Sequence, residues 1–188
     1  MLKKIDFYVE PRQCGKTNRI INEVKNFNGQ RPLIVVLNQN MRSLVINAGI
    51  DPNSVISQSN IQRDFFLKKS NFDKIWIDEY LYFYPEVIEY INDKIHYFTD
   101  EVCVRTTPYK MIDTKMYDFI KNFRSSNIPV NISFDNPEYA KEFEYLYHNL
   151  LTHPKTNLLY SYKRKREMFN DKEVFEIECL GKLFKEDE

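Results

Sequence analysis

Residues 4 to 36 read as a strand, a loop, a helix and a second strand, and this unit sets what the rest of the chain can be. "KIDFYV" is an apolar run of strand length, and Gly15 to Phe27 carries Ile20, Ile21, Val24 and Phe27 at helical spacing. "PLIVVL" has the unbroken apolar character of a strand buried on both faces. The alternation then continues. Met41 to Ala48 reads as a short helix, "NSVIS" as a small strand, "NIQRDFFLKK" as helical and "FDKIWID" as a strand. A helix follows from Pro85, with Val87, Ile88, Ile91 and Ile95 as its stripe. "EVCVRTT" is the next strand, Met116 to Phe123 the next helix and "IPVNISF" the last strand of the set. This pattern predicts an α/β fold of three layers around a mainly parallel central sheet, occupying residues 1–135. Residues 136–188 are expected to extend the same domain with a helix, "PEYAKEFEYLYHNLL", and a β-hairpin of "NLLYSYK" with "EVFEIECL". "RKREMFNDK" joins the two hairpin strands.

The 188 residues suffice for one well-buried core and are too few for two generous domains. Lys plus Arg and Asp plus Glu each number 27, so no global field draws the chain to a polyanion, and any basic surface is local. Cys14, Cys103 and Cys179 form no CxxC pair, which argues against a zinc knuckle or a disulfide framework and fits a reducing cytosol. No segment approaches the roughly 18 apolar residues of a membrane span, and "MLKKIDFYVEP" turns polar too soon for a signal peptide. A soluble, cytoplasmic protein is expected.

Between the first strand and its helix stands "EPRQCGKT". In a phosphate-binding loop, G-x-x-x-x-G-K-[ST], backbone N–H groups wrap the phosphates, the lysine reaches the outer oxygens and the hydroxyl ligates Mg²⁺. Gly15, Lys16 and Thr17 supply the second half, with the positive end of a helix behind them. Glu10 occupies the place of the first glycine, which chiefly serves the turn out of the strand. A bare GKT triplet also begins ordinary solvated helices; the flanking strand and helix favour the loop.

Two strand ends complete the pattern. "KIWIDEY" closes an apolar strand with Asp78-Glu79, at the sheet edge where ligands gather. An aspartate there can hold the hydration shell of a metal and a glutamate can polarise a water, although such a pair is also the usual solvated end of a strand. "VCVRTTPYK" stops at Thr106-Thr107-Pro108, whose hydroxyls suit either a phosphate sensor or a simple turn.

Together "PRQCGKT", "IWIDEYLYFYP" and "VRTTP" resemble the ATPase motifs of the large terminase subunits of tailed bacteriophages, over residues 3 to 135. In that family the loop commonly begins with Arg-Gln and tolerates a non-glycine residue where Glu10 stands. The resemblance implies a three-layer P-loop NTPase of the additional-strand, catalytic-glutamate class, with ATP and Mg²⁺ as cofactors. Gln13, Cys14, Gly15, Lys16, Thr17 and Asn18 would surround the phosphates, Thr17 and Asp78 would hold the metal, and Glu79 would be the catalytic carboxylate. Lys16 and Arg12, the latter a phosphate sensor or arginine finger, would assist it. Thr106 and Thr107 match the coupling motif. The implied function is Mg-dependent ATP hydrolysis coupled to DNA translocation or packaging in a phage or mobile element, in the host cytoplasm. Its partners would be double-stranded DNA and further copies of the chain or other phage proteins. The adenine-binding element that precedes the loop in that family is expected to be missing or replaced. The roughly fifty residues after Asp135 are expected to be too few for a nuclease domain.

Two other functions fit the same residues. Thymidine-kinase-like nucleoside kinases also pair a GKT loop with a strand-end Asp-Glu, though with a cysteine-rich zinc lobe that has no counterpart here. A nucleotide-binding adaptor or inhibitor without hydrolysis is the third. Lys163, Arg164, Lys165 and Arg166, preceded by Tyr160 and Tyr162, are the candidate nucleic-acid contact, and equally a solvated hairpin turn. His96, His148 and His153 are not spaced as a metal site.

Overall fold

Strands form where apolar runs leave the backbone no partner but another strand, and helices form where the apolar spacing is near four. The computed structural model describes residues 4–61, 71–107, 130–135, 159–161, 164–169 and 172–183, with side chains described in 4–61, 71–107 and 131–135. In chain order the elements begin with β1 (Lys4–Val9), α1 (Lys16–Lys25), β2 (Pro32–Val36), α2 (Gln39–Asn47) and β3 (Val55–Ser57). There follow β4 (Phe72–Asp78), α3 (Pro85–Lys94), β5 (Thr99–Thr106) and β6 (Val130–Phe134). Last come β7 (Leu159–Ser161), β8 (Arg164–Phe169) and β9 (Lys172–Leu183).

The sheet runs β3-β2-β4-β5-β1-β6-β9-β7, with β8 also paired to β9. All pairings among β1 to β6 are parallel, and β9 joins β6 antiparallel. The period of two along each strand sorts side chains into two cores. Ile34, Val36, Trp76 and Cys103 face Ile20, Ile21 and Val24 of α1 and Val45 of α2. Leu33, Val35, Ile75, Ile77, Val102 and Val104 belong with Val87, Ile88 and Ile91 of α3. The expected three-layer α/β fold with a mainly parallel sheet is therefore present. Each fully buried aliphatic side chain contributes about 1.5–3 kcal/mol, so the two faces are both needed.

Local chemistry sets the helix ends. α2 starts two residues before Met41 because the Asn38 side chain accepts from Met41 N at 3.0 Å. α3 starts at Pro85, as expected, since proline lacks only a donor that the first turn does not use.

"RKREMFNDK" is not simply a connection. Its first six residues form β8, which pairs β9 antiparallel from Arg164↔Ile177 to Phe169↔Lys172. β6 pairs β9 over Val130↔Cys179 to Phe134↔Phe175, so β8 lies on the opposite edge of β9. That open edge accounts for a strand in a charged segment, and the register sets Lys165 opposite Glu176. The expected pairing of "NLLYSYK" with β9 is present through β7. The helices expected over Met116 to Phe123 and in "PEYAKEFEYLYHNLL", and most of "NIQRDFFLKK", lie outside the described residues. Among the described residues no helix is long and apolar enough to cross a membrane.

Candidate functional site

The loop after β1 is pinned at its root and turned by two left-handed residues. Glu10 N donates to Thr106 O at 2.9 Å, and Asp135 N donates to Val9 O at 3.0 Å, so the last residues of β1 are held from both neighbours. The backbone then turns through Gln13 (φ 57°) and Gly15 (φ 85°). Left-handed φ is costless for glycine and costs other residues about 1 kcal/mol or more. Gly15 caps α1 with no side chain, and no acidic residue lies in the first helical turn. The free N–H groups and positive end of α1 are thus uncompensated within the helix.

Lys16 and Thr17 reach from this turn to the end of β4. Lys16 is 5% exposed; its Nζ donates to Pro11 O at 2.8 Å and lies 3.1 Å from Glu79 Oε1. Thr17 Oγ1 donates to Asp78 Oδ2 at 2.7 Å. Asp78 is buried, and its other oxygen, Oδ1, has no hydrogen-bond partner among the described residues. Burial pushes this carboxyl up to about 6; the Thr17 hydrogen bond opposes the shift and the charge of Glu79 adds to it. Glu79 takes a left-handed conformation (φ 58°), which starts the 3₁₀ turn Tyr80–Tyr82. Its Oε2 accepts from Thr107 N at 2.8 Å and its Oε1 from Thr107 Oγ1 at 3.0 Å.

Lys16, Thr17, Asp78, Glu79 and Thr107 therefore come together as the sequence suggests. Thr106 does not join them: it is buried, and its Oγ1 accepts from Leu81 N at 3.2 Å and donates to Thr107 O at 3.5 Å. Arg12 leans over Tyr82, donating to its hydroxyl at 3.4 Å with its guanidinium carbon 5.8 Å from the ring centre. Gln13 and Asn18 are exposed, and Cys14 is a half-buried free thiol. Lys163 lies outside the described residues, and Arg164, Lys165 and Arg166 are successive residues of β8, whose side chains are not described.

A second cluster escaped the sequence reading. Glu10 is 6% exposed and its Oε1 accepts from Arg105 Nη1 at 3.0 Å and from Arg19 Nη1. Arg105 Nη2 donates to Glu23 Oε1 at 2.5 Å, and Trp76 Nε1 donates to Glu23 Oε2 at 2.8 Å. The residue in place of the first glycine is thus a buried ion-pair partner. No sequence signal announces it, because Glu10 and Arg105 are 95 positions apart. Cys103 is buried beside Glu23, and burial first, then that charge, pushes its thiol up to about 12, so it is no nucleophile.

Thr107 and Lys16 between them contact both oxygens of Glu79. Thr17 gives its hydroxyl proton to Asp78 and keeps its oxygen lone pairs; no group of three or more His, Cys, Asp or Glu able to hold a metal ion occurs among the described residues.

No family model matches the chain, and no curated protein does. Similar solved structures include a precorrin-6Y C5,15-methyltransferase targeted domain from Corynebacterium diphtheriae, at 12% identity and TM-score 0.36, covering 95% of this chain and 87% of that one. Another is a structure titled "ATPase", at 10% identity and TM-score 0.42, with 96% and 80% covered. A third is phosphoethanolamine N-methyltransferase 2 of Haemonchus contortus, solved with phosphomonomethylethanolamine and S-adenosylhomocysteine. It shares 9% identity at TM-score 0.31 over 90% of this chain and 39% of that one. These likenesses are too distant to lend this chain an activity. No family model and no curated relative supports the terminase resemblance, which is not sustained. The implied Mg-dependent ATPase, its ATP and Mg²⁺ cofactors, and its role in phage packaging are withdrawn with it. The kinase and adaptor alternatives gain no support either.

Proposed function

We propose that residues 10–17 form a phosphate-binding loop in a P-loop-like fold, and that the protein binds a small phosphate-bearing molecule at the head of α1. The observation that carries this reading is Lys16. Its ammonium is buried at the helix end that favours anions, beside a carbonyl and one carboxylate. The uncapped first turn of α1 and the left-handed Gln13 and Gly15 support it. So does the strand order, with β5 between β1 and β4.

The test is calorimetric titration with inorganic triphosphate. Wild-type protein is expected to bind, and Lys16→Ala to lose tenfold or more, the order expected for a charge-assisted hydrogen bond. No binding by the wild type, or equal binding by Lys16→Ala, overturns the reading.

We also propose residues 1–135 as the core, with 136–188 extending the same domain; the β6–β9 pairing supports this. Contact of β8 with double-stranded DNA, and association of the chain with further copies, rest on sequence alone.

A further inference from the structure

A carboxylate at the entry of an anion-binding loop is electrostatically out of place. Glu10 occupies that position, 6% exposed, and its backbone N–H donates to Thr106 O at 2.9 Å, which holds the residue at the seam of β1 and β5. Two cations meet its Oε1. Arg105, 8% exposed, does so at 3.0 Å from the adjacent strand, and Arg19, with a 44% exposed side chain, from the second turn of α1. Arg105 is itself held on three sides: by Glu10, by Glu23 at 2.5 Å, and by Tyr8, whose ring centre lies 4.1 Å from the guanidinium carbon. Glu10, Glu23, Arg19 and Arg105 sum to zero charge. Arg105 is the cation with no freedom to leave.

We infer that Arg105 is a positioning residue that masks the charge of Glu10, allowing a loop that begins with glutamate to accept a phosphate-bearing ligand. The inference rests on the phosphate-ligand reading above. Removing Arg105 leaves Glu10 with one exposed partner and turns part of its negative field toward the head of α1, where the ligand's own charge would sit. Glycine, the usual residue here, needs no such mask, so Glu10 and Arg105 are a matched pair: the arginine matters to binding only while the glutamate is present.

A double-mutant cycle read by titration with inorganic triphosphate at constant ionic strength tests this, with folding of each variant checked by circular dichroism melting. Arg105→Gln is expected to weaken binding tenfold or more, whereas the same change in a Glu10→Gln background moves affinity less than threefold. Arg105→Gln within threefold of wild type, or equal losses in both backgrounds, overturns the inference; equal losses are what a merely structural brace produces. If Arg105→Gln does not fold, the sign for Glu10→Gln alone decides. It is expected to bind at least twofold more tightly than wild type, and weaker binding overturns the inference. Lys16→Ala separates the two ideas. Wild-type binding that is lost in Lys16→Ala but unmoved by Arg105→Gln removes the role of Arg105 and leaves the phosphate site standing. Absence of wild-type binding removes both.

Discussion

Thr17 Oγ1 donates to Asp78 Oδ2 at 2.7 Å, joining the first turn of α1 to the end of β4 across 61 positions of sequence. Asp78 is 1% exposed, and burial lifts its carboxyl from 3.8 to about 6, against the pull of that same hydrogen bond. The folded protein therefore holds this proton more tightly than the unfolded chain. The stabilisation is complete below about pH 4 and is lost as pH rises through about 6, on the order of 3 kcal/mol in all. Urea unfolding at pH 4 to 7 is expected to show this slope for the wild type relative to Asp78→Asn, which lacks it. Parallel pH curves for the two proteins would mean that Asp78 titrates normally.

Gly15 is left-handed, yet a Cβ built on it meets nothing within 4 Å. The cost of Gly15→Ala is then backbone strain alone, about 1–2 kcal/mol, and Gly15→Asn is expected to cost roughly half as much. Chemical denaturation of the two variants checks the order. Equal losses would point to a contact of the new side chain rather than to φ.

Thr107 grips Glu79 twice, through its amide and its hydroxyl. Thr107→Val removes only the hydroxyl bond to a charged acceptor and is expected to cost about 1.5–3 kcal/mol, with Thr107→Ser below about 1 kcal/mol. A Ser variant as unstable as the Val variant would shift the explanation from the hydrogen bond to methyl packing.

Tyr80 donates its hydroxyl to Asn92 Oδ1 at 2.7 Å in the core between β4 and α3. Tyr80→Phe strands a buried amide oxygen, at about 1–3 kcal/mol, whereas Tyr80→Phe combined with Asn92→Leu is expected to recover most of that loss. Melting temperatures of the two singles and the double give the coupling, and strictly additive losses would rule it out.

What was legible in the sequence follows from range. β1, α1, β2 and α3 carry their own period, so their apolar faces could be read without knowing what covers them. The convergence of Lys16 and Thr17 with Asp78 and Glu79 was legible because strand-end residues of a parallel sheet share one edge. β8 was not, because its charged residues read as turn by composition and become strand only against the open edge of β9. Glu79 in a left-handed conformation has no sequence cue, since glycine or asparagine is the usual sign. The functional reading rested on three short motifs, which fix which residue types meet and not what they bind.

The position of β5 has a bearing on how the protein is made. Val9 stands level with Thr106, and Asp78 with Arg105, so β1 and β4 touch only through the strand between them. A ribosome that has just released Glu79 has already supplied both the lysine and the two acids, yet their sheet neighbour is still to come. Residues 99 to 106 thus supply the strand that spaces β1 from β4, and a chain cut short before them carries Lys16, Asp78 and Glu79 without the neighbour that both strands pair with.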